Sequence, residues 1–166
     1  IARAALALLF PVCLLLGGCF GVVSPVLTVV EIRPESVTPE GRRFVVVVDA
    51  ENRSESALPL KDASYSLSID GKKVFEGQRS PESTLRKFST QRLLFPVAIP
   101  SSANIATGNA EFRVSGSVVY LPPGKFNEIL YDYRILRPTT GFGGSNKVDL
   151  KQADLSQPAQ SVSMAP

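Results

Sequence analysis

Between Asp49 and Gly77 the sequence DAENRSESALPLKDASYSLSIDGKKVFEG leaves the backbone few choices. Its centre alternates strictly, with Tyr65, Leu67 and Ile69 on one face and Ser64, Ser66, Ser68 and Asp70 on the other. Period-two alternation describes a strand with one face on a core and the other in water. Asp70-Gly71 follows at once, and Asp-Gly between strand-like runs predicts a type I′ hairpin, because both central residues of that turn need positive φ. Lys72 to Gly77 is the returning strand, Asn52 to Ala57 a polar loop, and Leu58-Pro59-Leu60 the entry to the outgoing strand. Helical periods are excluded here.

The same pattern recurs along the chain. Val26 to Ile32 is a candidate strand stopped by Pro34, with a turn over Ser36 to Gly41. Phe44 to Val48 is a continuous β-branched run, expected in the middle of a sheet with both faces covered. Leu93, Phe95, Val97 and Ile99 alternate, and Pro96 within that run predicts an edge strand or a bulge. Phe112, Val114, Val118 and Tyr120 share one parity with Gly116 among them, which predicts a bulge there or a close approach of backbones. Ile129, Tyr131, Tyr133 and Ile135 alternate as a last strand closed by Pro138. From Thr139 the sequence is rich in Gly, Ser, Gln and Pro and reads as a flexible tail. Seven or eight short strands without a convincing amphipathic helix predict an all-β protein, an antiparallel sandwich of the immunoglobulin or fibronectin III type. The expected boundaries are a leader over 1–18, a lipidated Cys and tether over 19–25, a sandwich domain over 26–138 and a tail over 139–166.

The amino terminus is of a different kind. Arg3 precedes Ala4 to Leu16, an uncharged run of mostly Ala and Leu, and Leu16-Gly17-Gly18-Cys19 follows. A basic start, a short apolar run and small residues before a cut make a secretory signal. An apolar residue and two small ones before a Cys resemble a bacterial lipobox, with cleavage between Gly18 and Cys19 and lipid on the Cys19 thiol. Two other readings stand beside this one. The span from Ala4 to Val30 lacks charge and is long enough for a transmembrane helix, although Pro11, Gly17-Gly18 and Pro25 would interrupt it. A plain signal peptide would also suffice, but would make the position of Cys19 a coincidence. The lipoprotein reading places the protein in a bacterial envelope, lipid-anchored on the periplasmic face. Phe20, where an Asp would retain the protein at the inner membrane of a Gram-negative cell, favours the outer membrane.

Chemistry is harder to find. The 166 residues contain no His and no Trp, and both cysteines, Cys13 and Cys19, lie in the amino-terminal segment. The commonest general base and metal ligand is thus missing, and the domain has no thiol for a disulfide, a metal or a nucleophile. Eighteen basic against 15 acidic residues is too even a balance to argue for nucleic acid. Gly141-Phe142-Gly143-Gly144 is not placed between a strand and a helix as a phosphate loop requires. Glu51, Glu55, Asp62 and Asp70 lack calcium-loop spacing. Tyr120, Tyr131 and Tyr133 could form a stacking platform, but at strand parity they suit the core and its rim better. Ser80 to Thr90 is polar and basic, with Arg79, Arg86, Lys87 and Arg92 nearby, and could meet anionic headgroups or phosphate. Such charges are more often simply a solvated edge, which is the favoured reading. The expectation is a non-enzyme without catalytic residues, cofactor or metal.

The hairpin region also carries a family resemblance. An apolar strand ending in Asn52, a loop, Leu58-Pro59-Leu60, the Tyr65 strand, Asp70-Gly71 and a short strand to Gly77 resemble the late embryogenesis abundant type 2 family, also called the water stress and hypersensitive response domain. The likeness continues through Phe95-Pro96-Val97 and Phe112-Arg113-Val114-Ser115-Gly116, over roughly Ser24 to Arg137. Members often carry Asn-Pro-Asn where this chain has Asn52-Arg53-Ser54. The resemblance implies a β-sandwich and a protective role during water loss. Together these readings describe a monomeric, lipid-anchored protective module. The alternative is an envelope binding module that recruits a protein or a lipid through Asn52 to Ala57, Ser80 to Arg86 or a sheet edge.

Overall fold

The computed structural model describes residues 23–103, 105 and 108–149. Eight strands form two antiparallel sheets: β1 (Val26–Thr38), β2 (Gly41–Asn52), β3 (Leu58–Ile69), β4 (Lys72–Arg79), β5 (Thr84–Leu85), β6 (Ser89–Pro100), β7 (Asn109–Tyr120) and β8 (Thr139–Asp149). One sheet has the order β1-β2-β6. The other has the order β4-β3-β7-β8, with β5 paired to the start of β3. A short helix, α1 (Lys125–Asp132), lies between β7 and β8. The expected all-β sandwich is what the chain forms.

The alternating residues face inward as their parity predicts. Phe44, Val46, Val48, Leu93, Phe95, Val97 and Ile99 come from the first sheet, and Leu60, Tyr65, Leu67, Ile69, Phe112, Val114 and Tyr120 from the second, into one buried cluster. Within it Phe95 lies between Tyr65 and Phe142, with ring centroids 5.1 and 5.4 Å away. Phe44 and Phe112 meet at 5.2 Å. The Tyr65 hydroxyl donates to the Pro96 carbonyl at 2.6 Å, which ties β3 to β6 across the layers. Burial raises the Tyr65 phenol above its ordinary value, so the proton this bond needs is retained. Pro96 lies on β6, which pairs with β2 alone, so the missing N–H interrupts no ladder.

Asp70 and Gly71 have φ of 49° and 80°, the two positive values of a type I′ turn. Gly71→Val is expected to destabilise the fold by at least about 1 kcal/mol, since a β-branched residue is strained there. Ser68→Val, one residue before the β3 terminus, should be nearly neutral. Chemical denaturation of the two variants checks the assignment, and equal midpoints would refute it.

Gly116 resolves as a close approach without a bulge. The register of β3 with β7 is unbroken from Ala63 to Ile69. A Cβ on Gly116 would lie 2.5 Å from the Phe142 ring and 2.8 Å from the Ser64 carbonyl oxygen. The missing side chain is the space that ring occupies.

Several local expectations are corrected. β1 continues through Pro34 to Thr38, with a register shift between Pro34 and Ser36. An edge strand tolerates proline because one side of its ladder is open. The turn that follows is correspondingly shorter than Ser36 to Gly41. Ile129 to Ile135 is not a strand, because α1 and the turn after it occupy that stretch. The segment from Thr139, expected to be a tail, supplies β8 as far as Asp149, paired with β7 from Val119 to Asn109. Residues 150–166 lie outside the described part. Val45 and Val47, on the outer face of β2, are buried along with their inward neighbours, as a continuous apolar run predicts.

Candidate interaction surface

The strand registers bring the sequence-distant loops to one end of the sandwich. Val26 opposes Glu51, Asn52 opposes Ser89, Leu58 opposes Leu85, Leu60 opposes Tyr120, and Val119 opposes Thr139. The loops over 53–57, 80–83, 86–88 and 121–138 therefore share this end with the entry of the chain. The opposite end carries the Asp70-Gly71 turn, where the Asp70 carboxylate accepts from the Glu111 N–H at 2.9 Å.

Asn52 organises the loops. It is the one buried polar or charged side chain among the described residues, at 1% exposure. Its amide donates to the carbonyls of Ser56, Arg86 and Leu85 at 2.8, 3.0 and 3.3 Å. Its Oδ1 accepts from the Ser54 N–H at 2.9 Å and the Ser54 hydroxyl at 2.7 Å. One side chain thus satisfies backbone groups of two loops that a core beneath them shields from water. The Ser54 hydroxyl lies between two acceptors, Asn52 Oδ1 and the Ser56 carbonyl at 2.8 Å, and its single proton is shared between them. Leu85, fully buried, pins the second loop into the core. Leu85 is the apolar residue that anchors this otherwise polar and basic segment.

The entry of the chain is fastened beside the β7–β8 connection. The Ser24 and Tyr120 hydroxyls hydrogen-bond at 2.7 Å, and the Thr140 hydroxyl donates to the Pro25 carbonyl at 2.9 Å. The Tyr120 N–H donates to the Pro138 carbonyl at 3.1 Å, closing the base of the excursion that holds α1. No residue of α1 is buried. Phe126, Ile129, Tyr133 and Ile135 are 71%, 52%, 75% and 71% exposed. Phe88, in a neighbouring loop with φ of 48°, is 66% exposed. Large apolar side chains gathered on α1, the turn after it and a loop at the same end are what interaction surfaces show, whereas scattered ones are ordinary.

The tyrosines divide. Tyr120 is in the core, Tyr131 lies at the rim with the Arg137 guanidinium 4.7 Å from its ring centre and the Lys61 ammonium 5.8 Å away, and Tyr133 is exposed. They form no stacking platform. Gly141 to Gly144 lies inside β8, with Phe142 in the core, so that glycine run serves packing. Among the described residues no three of His, Cys, Asp and Glu converge on a metal position. The carboxylates named from the sequence stay apart: Glu51 pairs with Arg53 at 2.7 Å, and Asp70 caps a turn. The Asp49 carboxyl is held below its ordinary range by the Arg92 guanidinium opposite it, bonded at 2.9 Å on a solvent-facing position. An open groove of about 490 Å³ at the opposite end is lined by Thr38, Glu40, Arg42, Arg43 and Ile99. Gly18 and Cys19 lie outside the described residues.

No family model and no curated protein matches the sequence. Solved structures do match in fold. A solution structure of a protein from Arabidopsis thaliana has a TM-score of 0.62 at 13% identity, covering 81% of this chain and 89% of that one. The solution structure of a candidate late embryogenesis abundant protein has a TM-score of 0.60 at 16% identity, covering 90% of this chain and 84% of that one. A crystal structure of a protein from Archaeoglobus fulgidus has a TM-score of 0.51 at 16% identity, with 76% and 95% covered. At such identities the likeness is one of architecture.

Proposed function

We propose that this chain is a non-catalytic, lipid-anchored protein of the bacterial envelope that protects neighbouring proteins or membrane during water loss. The observation that carries this reading is a sandwich matched over most of its length to a candidate late embryogenesis abundant protein. It is joined to the ordered type 2 motifs from Asn52 to Gly116 and to the Leu16-Gly17-Gly18-Cys19 leader. The chemical inventory is consistent with it, since a chain without histidine, and without cysteine beyond position 19, has few routes to an activated nucleophile. Stable attachment needs two or more acyl chains on the anchor, because one alone binds membranes only marginally.

Two measurements test the parts separately. Intact mass of the purified protein should show Cys19 as the first residue, bearing lipid, and Cys19→Ser should abolish processing and shift the protein out of the membrane fraction. Unchanged processing and fractionation would remove the anchor. A labile reporter enzyme dried with this protein should keep more activity than with an equal mass of an unrelated β-sandwich. Equal loss would remove the protective role and leave the binding module. That second reading has an observation in its favour: the exposed apolar side chains of α1 and Phe88, which a generic protectant does not need.

A further inference from the structure

We propose that the end of the sandwich carrying α1 is a membrane-docking surface, in which Phe126, Ile129 and Ile135 enter the headgroup region of a phospholipid bilayer. This inference rests on the anchoring reading above and adds an orientation to it. The occupant follows from where the chain enters. Ser24 is bonded to Tyr120, and Tyr120 to Pro138, so the amino-terminal entry and both feet of the α1 excursion are one cluster. Ser24 is five residues beyond Cys19. Those five residues can span at most about 18 Å when fully extended. A lipid on Cys19 would therefore hold this end, and not the Asp70-Gly71 end, against the bilayer.

The surface there has matching chemistry. Its apolar side chains are large and exposed, with Phe126 and Ile129 on a short helix and Ile135 in the bend just after it, an arrangement suited to lying in the interface plane. Tyr133 adds an amphipathic ring of the kind enriched at headgroup depth. The loops over 53–57, 80–83, 86–88 and 121–138 hold six basic residues against four acidic ones, an excess suited to anionic headgroups. Arg86, Lys87, Lys125 and Arg134 are in no salt bridge among the described residues.

The absence of tryptophan makes the test direct. Full chain carrying Phe126→Trp is extracted from cells and reconstituted into vesicles of phosphatidylethanolamine and phosphatidylglycerol, with and without brominated acyl chains. Lys72→Trp, an exposed position at the opposite end, is the control. Trp at 126 should emit to the blue of Trp at 72 and be quenched by the brominated lipid, while Trp at 72 keeps a solvent-exposed, unquenched spectrum. Identical unquenched spectra would overturn the proposal. A blue-shifted but bromine-insensitive signal at 126 would overturn it in favour of contact with a second copy. Intact mass of the same sample reports lipid on Cys19 independently. A lipid-free chain still quenched at 126 would remove the anchor and keep the docking surface.

Discussion

Asn52→Asp is expected to lower the stability of the sandwich by at least about 3 kcal/mol at neutral pH, because it turns a double donor into a charged acceptor. The carbonyls of Ser56, Leu85 and Arg86 would lose their shared donor and face a carboxylate in its place. Leaving one buried group unsatisfied costs about 1–3 kcal/mol, and a buried charge costs more. The penalty should depend on pH with a definite sign. Burial against carbonyls raises the folded-state pKa of the new carboxyl above its unfolded value of about 4. The stability restored by protonation is fully present below that unfolded value and is lost as pH rises through the folded one. Urea midpoints at pH 7 and pH 4, each relative to the parent chain, read this directly. An equal midpoint at pH 7 would show that Asn52 does not hold the two loops.

Phe95→Ala should destabilise the protein by about 3–5 kcal/mol, the range for truncating a buried aromatic. The ring is 1% exposed and is the contact through which the first sheet meets both Tyr65 and Phe142 of the second. Its removal opens a cavity between β3, β6 and β8, and the Tyr65 bond to Pro96 limits how far the layers can collapse. Leu94→Ala, the neighbour on the outer face at 51% exposure, should change stability by no more than about 0.5 kcal/mol. Thermal or chemical denaturation of the pair checks the inside-outside parity of β6. Comparable losses at both positions would refute it.

The interaction surface was only partly legible beforehand. Asn52 to Ala57 and Ser80 to Arg86 stood out as polar loops, but nothing local placed them beside Ser24 or beside one another. Their neighbourhood is a product of strand order, since β2 ends where β3, β6 and β8 begin. The role of Asn52 was visible only as one letter of a family pattern, because the carbonyls it bonds lie up to 34 residues away. The exposure of Phe126, Ile129 and Ile135 had no signature at all. In the strand that the sequence suggests, Ile129 and Ile135 would have been ordinary inward residues.

Where the chain's own period decided the outcome, the physics is short-range. Parity on β3, β6 and β7 sorts apolar from polar faces whatever the partner strand, and Asp70-Gly71 sets its turn from two residues' φ preferences. Tertiary structure decided the segments whose local preferences were divided. Ile129, Tyr131, Tyr133 and Ile135 satisfy a strand period, yet Phe126, Ile129 and Tyr133 also fit a helical one. The helix prevails because the free edge of β7 is already taken by β8. β8 in turn is poor in strand formers, with Gly141, Gly143 and Gly144 in its middle. It is held by its ladder to β7 and by Phe142, whose ring fits only because Gly116, its partner on the neighbouring strand, has no side chain to obstruct it.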